Sequence, residues 1–201
     1  GRRTSMKVTR SYDPSTLNPQ PSTDTQTYGY DPIGQLTNVT YSGGRVVHYV
    51  YDAAGNRTAV VDNGVSTPYS PNGLNQYTTV GGGTYLYDAD GNLTNKTEGG
   101  MTTSYAYNHE NRLLGVSTPT DTWTYTYDAF GNRIATTHNG QATRYVIDPT
   151  GLGNVAAEYD DGGNLVARYE HGFGLLARVD AASTPAFYSF SAIGNTSEMT
   201  D

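Results

Sequence analysis

The chain has 201 residues, a formal net charge of −7 at pH 7 and no Cys, which leaves room for one or two domains and excludes disulfides, thiolate metal sites and thiol nucleophiles. Leu, Ile, Val and Phe together number only 33, against 18 Tyr, 24 Gly and 29 Thr. That composition excludes a helical bundle and a core of aliphatic side chains alone, so Tyr must supply much of the buried surface, while the acidic balance excludes the basic patch of a nucleic-acid binder.

Residues 1–27 read as an irregular segment. Arg2, Arg3, Lys7 and Arg10 form its basic cluster, Tyr12-Asp13-Pro14 echoes a repeat, and a Pro/Ser/Thr-rich stretch runs to Thr27. From residue 28 to 201 the chain reads as one array. Tyr-x-Tyr-Asp occurs at Tyr28/Tyr30/Asp31, Tyr49/Tyr51/Asp52, Tyr85/Tyr87/Asp88 and Tyr125/Tyr127/Asp128, and with Asn in the last place at Tyr105/Tyr107/Asn108. After two further residues comes Gly-Asn or Gly-Gln (Gly34, Gly55, Gly91, Gly131), followed by Leu or Arg and often Thr. The second-Tyr slot falls at 30, 51, 70 (Ser), 87, 107, 127 and 147 (Ile), in steps of 21, 19, 17, 20, 20 and 20. It returns at Tyr159, with Asp160 and Gly163 behind it, and at His171 and Phe190, where the array tightens into two short hairpins and then resumes. A fixed step of this kind is the signature of a repeat architecture.

Each unit reads as a β-hairpin. The two Tyr at i and i+2 share a strand face, with Trp123 expected on the other. Asp accepts from the backbone N–H two residues on, and Gly supplies the positive φ that ends the turn, expected at Gly55, Gly91 and Gly131. Stacked hairpins pair edge to edge, with equivalent Tyr rings expected in ladders about 4.8 Å apart. The fold class is therefore all-β, an array of antiparallel hairpins.

At these residues the sequence resembles the YD-repeat, or Rhs-repeat, family. The resemblance covers about residues 28–201, and Gly174 to Asp180, Ile193 to Thr196 and Met199 to Asp201 look like the end of the repeat region in such proteins. The family includes bacterial Rhs effectors, shell components of insecticidal Tc toxins, and teneurins. The resemblance implies a spiral β-sheet, a hollow shell around a toxic segment, and a secreted or cell-surface location. This sequence holds under ten units and stops before the place where the resemblance would put the core segment, so the expectation carried over from the family is architecture and not catalysis.

The remaining motifs have plain readings. Asp148-Pro149-Thr150-Gly151-Leu152-Gly153 is similar to the Rhs cleavage motif but occupies an ordinary slot, as a Pro-Gly turn. Asp88-Ala89-Asp90-Gly91-Asn92 lacks the Gly and Glu spacing of an EF-hand, and Asp160-Asp161 lies at a Gly-rich turn. His48, His109, His138 and His171 share no metal-ligand spacing. The Asn-x-Thr/Ser matches at Asn38, Asn56, Asn92, Asn95 and Asn195 follow from the repeat's own turn. No catalytic, cofactor or metal residue is assigned, and no apolar run is long enough for a membrane-spanning helix. The expectation is a structural scaffold within a larger assembly, partnered by adjacent segments of a longer polypeptide or by copies of itself in dimers or filaments. The alternative is a module binding carbohydrate or a cell surface through exposed Tyr, Trp123 and Asp/Asn.

Overall fold

The computed structural model describes residues 4–10, 22–150, 153–172, 174–190 and 194–200. Two compact units divide the chain after Gly100. The first holds β1 (Ser5–Arg10), β2 (Ser22–Tyr30), β3 (Leu36–Tyr41), β4 (Val46–Tyr51), β5 (Arg57–Asp62), β6 (Val65–Pro71), β7 (Tyr77–Val80), β8 (Gly83–Tyr87) and β9 (Leu93–Glu98). The second holds β10 (Met101–Tyr107), β11 (Leu113–Ser117), β12 (Thr122–Tyr127), β13 (Arg133–His138), β14 (Gln141–Ile147), β15 (Val155–Asp160), β16 (Leu165–His171), β17 (Leu175–Asp180), β18 (Pro185–Phe190) and β19 (Thr196–Thr200). Within each unit every strand pairs antiparallel with its neighbour in sequence, a meander with no helix among the described residues. The all-β hairpin array expected from the motif is the architecture found.

Residues 5–10, read from sequence as irregular, form β1 and pair with β2 from Ser5↔Thr27 to Arg10↔Ser22. Met6 and Val8 alternate there with polar residues, the two-residue period of a strand. The Pro/Ser/Thr-rich stretch from 11 to 21, with its Tyr12-Asp13-Pro14, lies outside the described residues.

A β-bulge recurs at the second-Tyr slot. In the first unit the register shifts at Tyr30, Tyr51, Pro71 and Tyr87. In the second it shifts at Tyr107, Tyr127, Ile147, Tyr159, His171 and Phe190. The extra residue sits on the returning strand. Tyr51 faces Arg57 while Val50 faces Ala59, so Thr58 is unpaired. Thr37, Thr78 and Thr94 hold the same place. The hydroxyls of Thr78 and Thr94 donate to the carbonyls of Ser70 and Leu86, 3.1 and 3.2 Å away. The recurrent Thr of the motif is thus the bulge residue, and at Thr78 and Thr94 its side chain satisfies a strand carbonyl beside the bulge.

The bulge also corrects one slot. It lies at Pro71, not Ser70, because Tyr69 occupies the first-Tyr place and Asn72 opens the turn. The steps around it become 20 and 16.

The apolar core is slight. Val39 and Val47 are buried in the first unit, Ala167, Ala177 and Val179 in the second. The motif Tyr side chains are half-buried, not enclosed, because among the described residues of each unit a strand packs only against its neighbours in sequence. Trp123 does not point away from the Tyr face. Burial alternates along β12 so that Trp123, Tyr125 and Tyr127 are its half-buried positions, as the two-residue period requires.

Candidate functional site

The feature that recurs is the slot and the turn behind it. Asp52 closes the turn in three ways. Its Oδ1 accepts from the N–H of Ala54 (2.9 Å) and of Asn56 (2.8 Å), and its Oδ2 from the Asn56 amide (3.1 Å). Asp88 and Asp128 repeat this set with Asp90/Asn92 and Phe130/Asn132. Asp31 accepts from Gly34 and Gln35, and Asp160 from Asn164. Asn72 and Asn108 accept the same two backbone donors. The first donor is the one expected from Asx chemistry; the second, four residues on, was not anticipated.

These bonds favour the ionised form. The Asn side chain four residues on, then the turn N–H groups, hold Asp52, Asp88, Asp128 and Asp160 below their ordinary range. At Asp31 desolvation opposes the shift, but the backbone and amide of Gln35 and the N–H groups of Gly34 and Ile33 outweigh it.

The φ > 0 position is filled by Gly34 (98°), Gly55 (86°), Gly91 (89°), Gly131 (89°) and Gly163 (80°), and by Asn75 (60°), Asn111 (61°) and Ser183 (67°) in other turns. Space matters there as well as φ. A Cβ on Gly55 would lie 3.4 Å from Gln35 Oε1, on Gly91 3.1 Å from Gln76 Nε2, on Gly131 3.2 Å from the Arg112 guanidinium, and on Gly153 2.6 Å from Asn132 Oδ1. Asn56 donates to Asn75 Oδ1 at 2.8 Å. Gln35, Asn56, Gln76, Arg112 and Asn132, each directly after the positive-φ residue of its turn, thus reach over to the next turn. Their sequence signal was the recurrence of Gln, Asn or Arg five places after the slot.

Slot phenols bond backward. Tyr51, Tyr87 and Tyr127 donate to the carbonyls of Leu36, Tyr77 and Leu113, each at 2.9 Å. Each acceptor is the first residue after the preceding turn. His171 Nε2 lies 3.1 Å from the equivalent Val155 carbonyl, and Tyr77 accepts from the N–H of Arg57 at 2.7 Å. The remaining slot phenols, Tyr30, Tyr107 and Tyr159, stand at their bulges.

First-position phenols take varied partners: Tyr28 with Gln26, Tyr85 with Glu98, Tyr145 with Thr136, Tyr169 with Glu158. Burial and the Glu158 carboxylate push Tyr169 up to about 12, and the Glu98 hydrogen bond raises Tyr85. Both phenols therefore stay protonated donors.

Equivalent Tyr rings do not stack at one strand spacing, because a repeat is two strands wide. Between Tyr49 and Tyr69 a side chain of the intervening strand fills the gap. The Arg57 guanidinium lies 4.7 Å from the Tyr49 ring centroid and 5.9 Å from that of Tyr69, and Arg133 lies 4.3 Å from Tyr125. These are cation–π contacts on half-buried rings. Tyr105 lies on the same half-buried face of β10.

Of the other candidates, Asp148 accepts from the N–H and hydroxyl of Thr150 at 2.8 Å, while Gly151 and Leu152 lie outside the described residues. His48 and His109 are exposed and separate. His138 stacks on Trp123, centroids 4.6 Å apart and planes 2° from parallel, with Nε2 2.9 Å from Asp121 Oδ1. Among the described residues no group of three or more His, Asp or Glu is placed to hold a metal ion, and no helix is long and apolar enough to cross a membrane.

This geometry defines a protein of tandem β-hairpins whose polar side chains close turns and bridge neighbouring hairpins. Residues 30–67 and 87–122 match the family model of the RHS repeat, so these two segments carry the repeat that the Tyr-x-Tyr-Asp motif indicated. No curated protein matches it. Among solved structures the chain is similar to a TcdB2–TccC3–Cdc42 complex (17% identity, TM-score 0.43) and to a Tc holotoxin pore of Photorhabdus luminescens (17%, 0.43). The alignments cover 96% and 95% of this chain but 12% and 11% of those chains.

Proposed function

We propose that the chain is a structural β-repeat scaffold without catalysis of its own, forming part of the wall of a larger extracellular RHS-type assembly that encloses or displays another segment. The observation that carries this reading is where the carboxylates go. Asp31, Asp52, Asp88, Asp128 and Asp160 each accept from the donors of their own turn, and equivalents recur from hairpin to hairpin. A catalytic acid or base breaks such a pattern by standing in a cleft with an environment unlike its homologous positions. The partners of the wall are adjacent hairpins of the same polypeptide or of further copies.

Electron microscopy of the polypeptide that contains this array is the test. Hairpins continuing the same step into a common wall are the expected result. An array standing free of any wall, with saturable glycan binding lost in Trp123→Ala, would overturn the reading in favour of an adhesion module.

A further inference from the structure

Three Asn-Gly bonds lie in the turns: Asn63-Gly64, Asn72-Gly73 and Asn139-Gly140. Such bonds are chemically labile because Gly has no Cβ to hinder attack by its own backbone nitrogen on the neighbouring side-chain amide. Two of them form a matched pair. Asn63-Gly64 joins β5 to β6 with φ values of 47° and 88°, and Asn139-Gly140 joins β13 to β14 with 49° and 86°. Both Asn donate their N–H to a neighbouring strand at 2.9 Å, to Val46 and Thr122 respectively. All four residues are exposed, and a Cβ on either Gly would meet nothing within 4 Å.

They differ at the side chain. Asn139 Oδ1 accepts from the N–H of Thr122 at 2.8 Å, and its Nδ2 donates to Asp121 Oδ1 at 2.9 Å. Asn72 is held similarly, Oδ1 by the N–H groups of Leu74 and Gln76 and Nδ2 by Gln76 Oε1. The Asn63 amide makes no hydrogen bond among the described residues, so it alone is free to rotate onto the Gly64 nitrogen.

We propose that Asn63-Gly64 is a site of spontaneous deamidation and that the fold protects the other two. The Gly64 backbone nitrogen attacks Asn63 Cγ, forming an N–Cγ bond. The side-chain amide leaves as ammonia, carrying the proton of the Gly64 N–H, and a five-membered succinimide remains. Water then opens the ring at either carbonyl. The product is aspartate, or an isoaspartyl link in which the main chain runs through the former side chain. The balance is one water consumed and one ammonia released, with no oxidant or cofactor. Either product places a new carboxylate beside Asp62, which pairs with Arg45, and the isoaspartyl form lengthens a two-residue turn.

The test is timed incubation of the native chain at mildly alkaline pH, followed by peptide mapping with mass spectrometry, with the same incubation in denaturant alongside. Releasing two amide hydrogen bonds is expected to make Asn63 react about tenfold faster than Asn139 or Asn72 in the native chain, with the difference disappearing in denaturant. Equal native rates would overturn the proposal, as would faster reaction at Asn72 or Asn139. An advantage of Asn63 that persists in denaturant would also overturn it, since local sequence rather than the fold would then be the cause.

Discussion

Tyr127 donates its hydroxyl to the carbonyl of Leu113 at 2.9 Å, linking the end of β12 to the residue that begins β11. Tyr51 and Tyr87 do the same to Leu36 and Tyr77. The phenol is therefore a tie between successive turns as well as a half-buried apolar surface. Tyr127→Phe keeps the ring and removes the tie, so it should cost about 1 kcal/mol in urea denaturation. Tyr125→Phe should cost less, since Tyr125 meets Arg133 through its ring face. Equal effects at the two sites would remove the tie from the account.

Turn glycines separate conformational strain from crowding. Gly131 has φ 89° and lies against Arg112, Gly140 has φ 86° in open space, and Gly43 has neither constraint. Alanine should be nearly neutral at Gly43 and cost about 1–2 kcal/mol at Gly140. The cost should be larger at Gly131, where Arg112 must also move. Unfolding midpoints in any other order would contradict the turn geometry.

Acid should weaken the array in a defined window. The turn carboxylates of Asp52, Asp88, Asp128 and Asp160 are held below their ordinary range by Asn side chains and backbone N–H groups. A depressed folded-state pKa contributes stability that is fully present above the unfolded value, about 3.9, and is lost as pH falls through the folded value. Thermal midpoints should therefore fall below about pH 4. Asp128→Asn should reduce this acid sensitivity, because Asn72 and Asn108 already serve equivalent turns. An unchanged acid profile in that variant would count against the assignment.

The single Trp reports its own surroundings. Trp123 is stacked on His138, which pairs with Asp121. His138→Ala should expose the indole and shift its emission to longer wavelength, while changing stability by less than about 1 kcal/mol for an exposed pair. Unchanged emission would contradict the stacking.

The hairpins and turns were legible in sequence because their chemistry is local. Asp and Gly sit at fixed offsets from Tyr, and positive φ at Gly55 and Gly91 follows from a few residues. What sequence left hidden was non-local. Arg57 between Tyr49 and Tyr69 depends on a repeat being two strands wide, so rings one repeat apart lie roughly 10 Å from each other. The reach of Asn132 to Gly153 depends on the stacking of turns. The second-Tyr slot lies at Pro71 and not at Ser70, where the spacing puts it, because no Tyr marks it. Trp123 was assigned to the wrong face although the two-residue period places it with Tyr125.

Replacing the turn carboxylates one at a time, Asp31, Asp52, Asp88, Asp128 and Asp160 each to Ala, and measuring the stability of each variant tests the scaffold reading most directly. Residues kept for binding or catalysis are commonly neutral or destabilising to the fold, so their removal leaves stability unchanged or raised. A scaffold predicts that all five replacements destabilise, each leaving turn N–H donors without an acceptor. A replacement that leaves stability intact or raises it, while abolishing a measurable binding or turnover, would contradict the account.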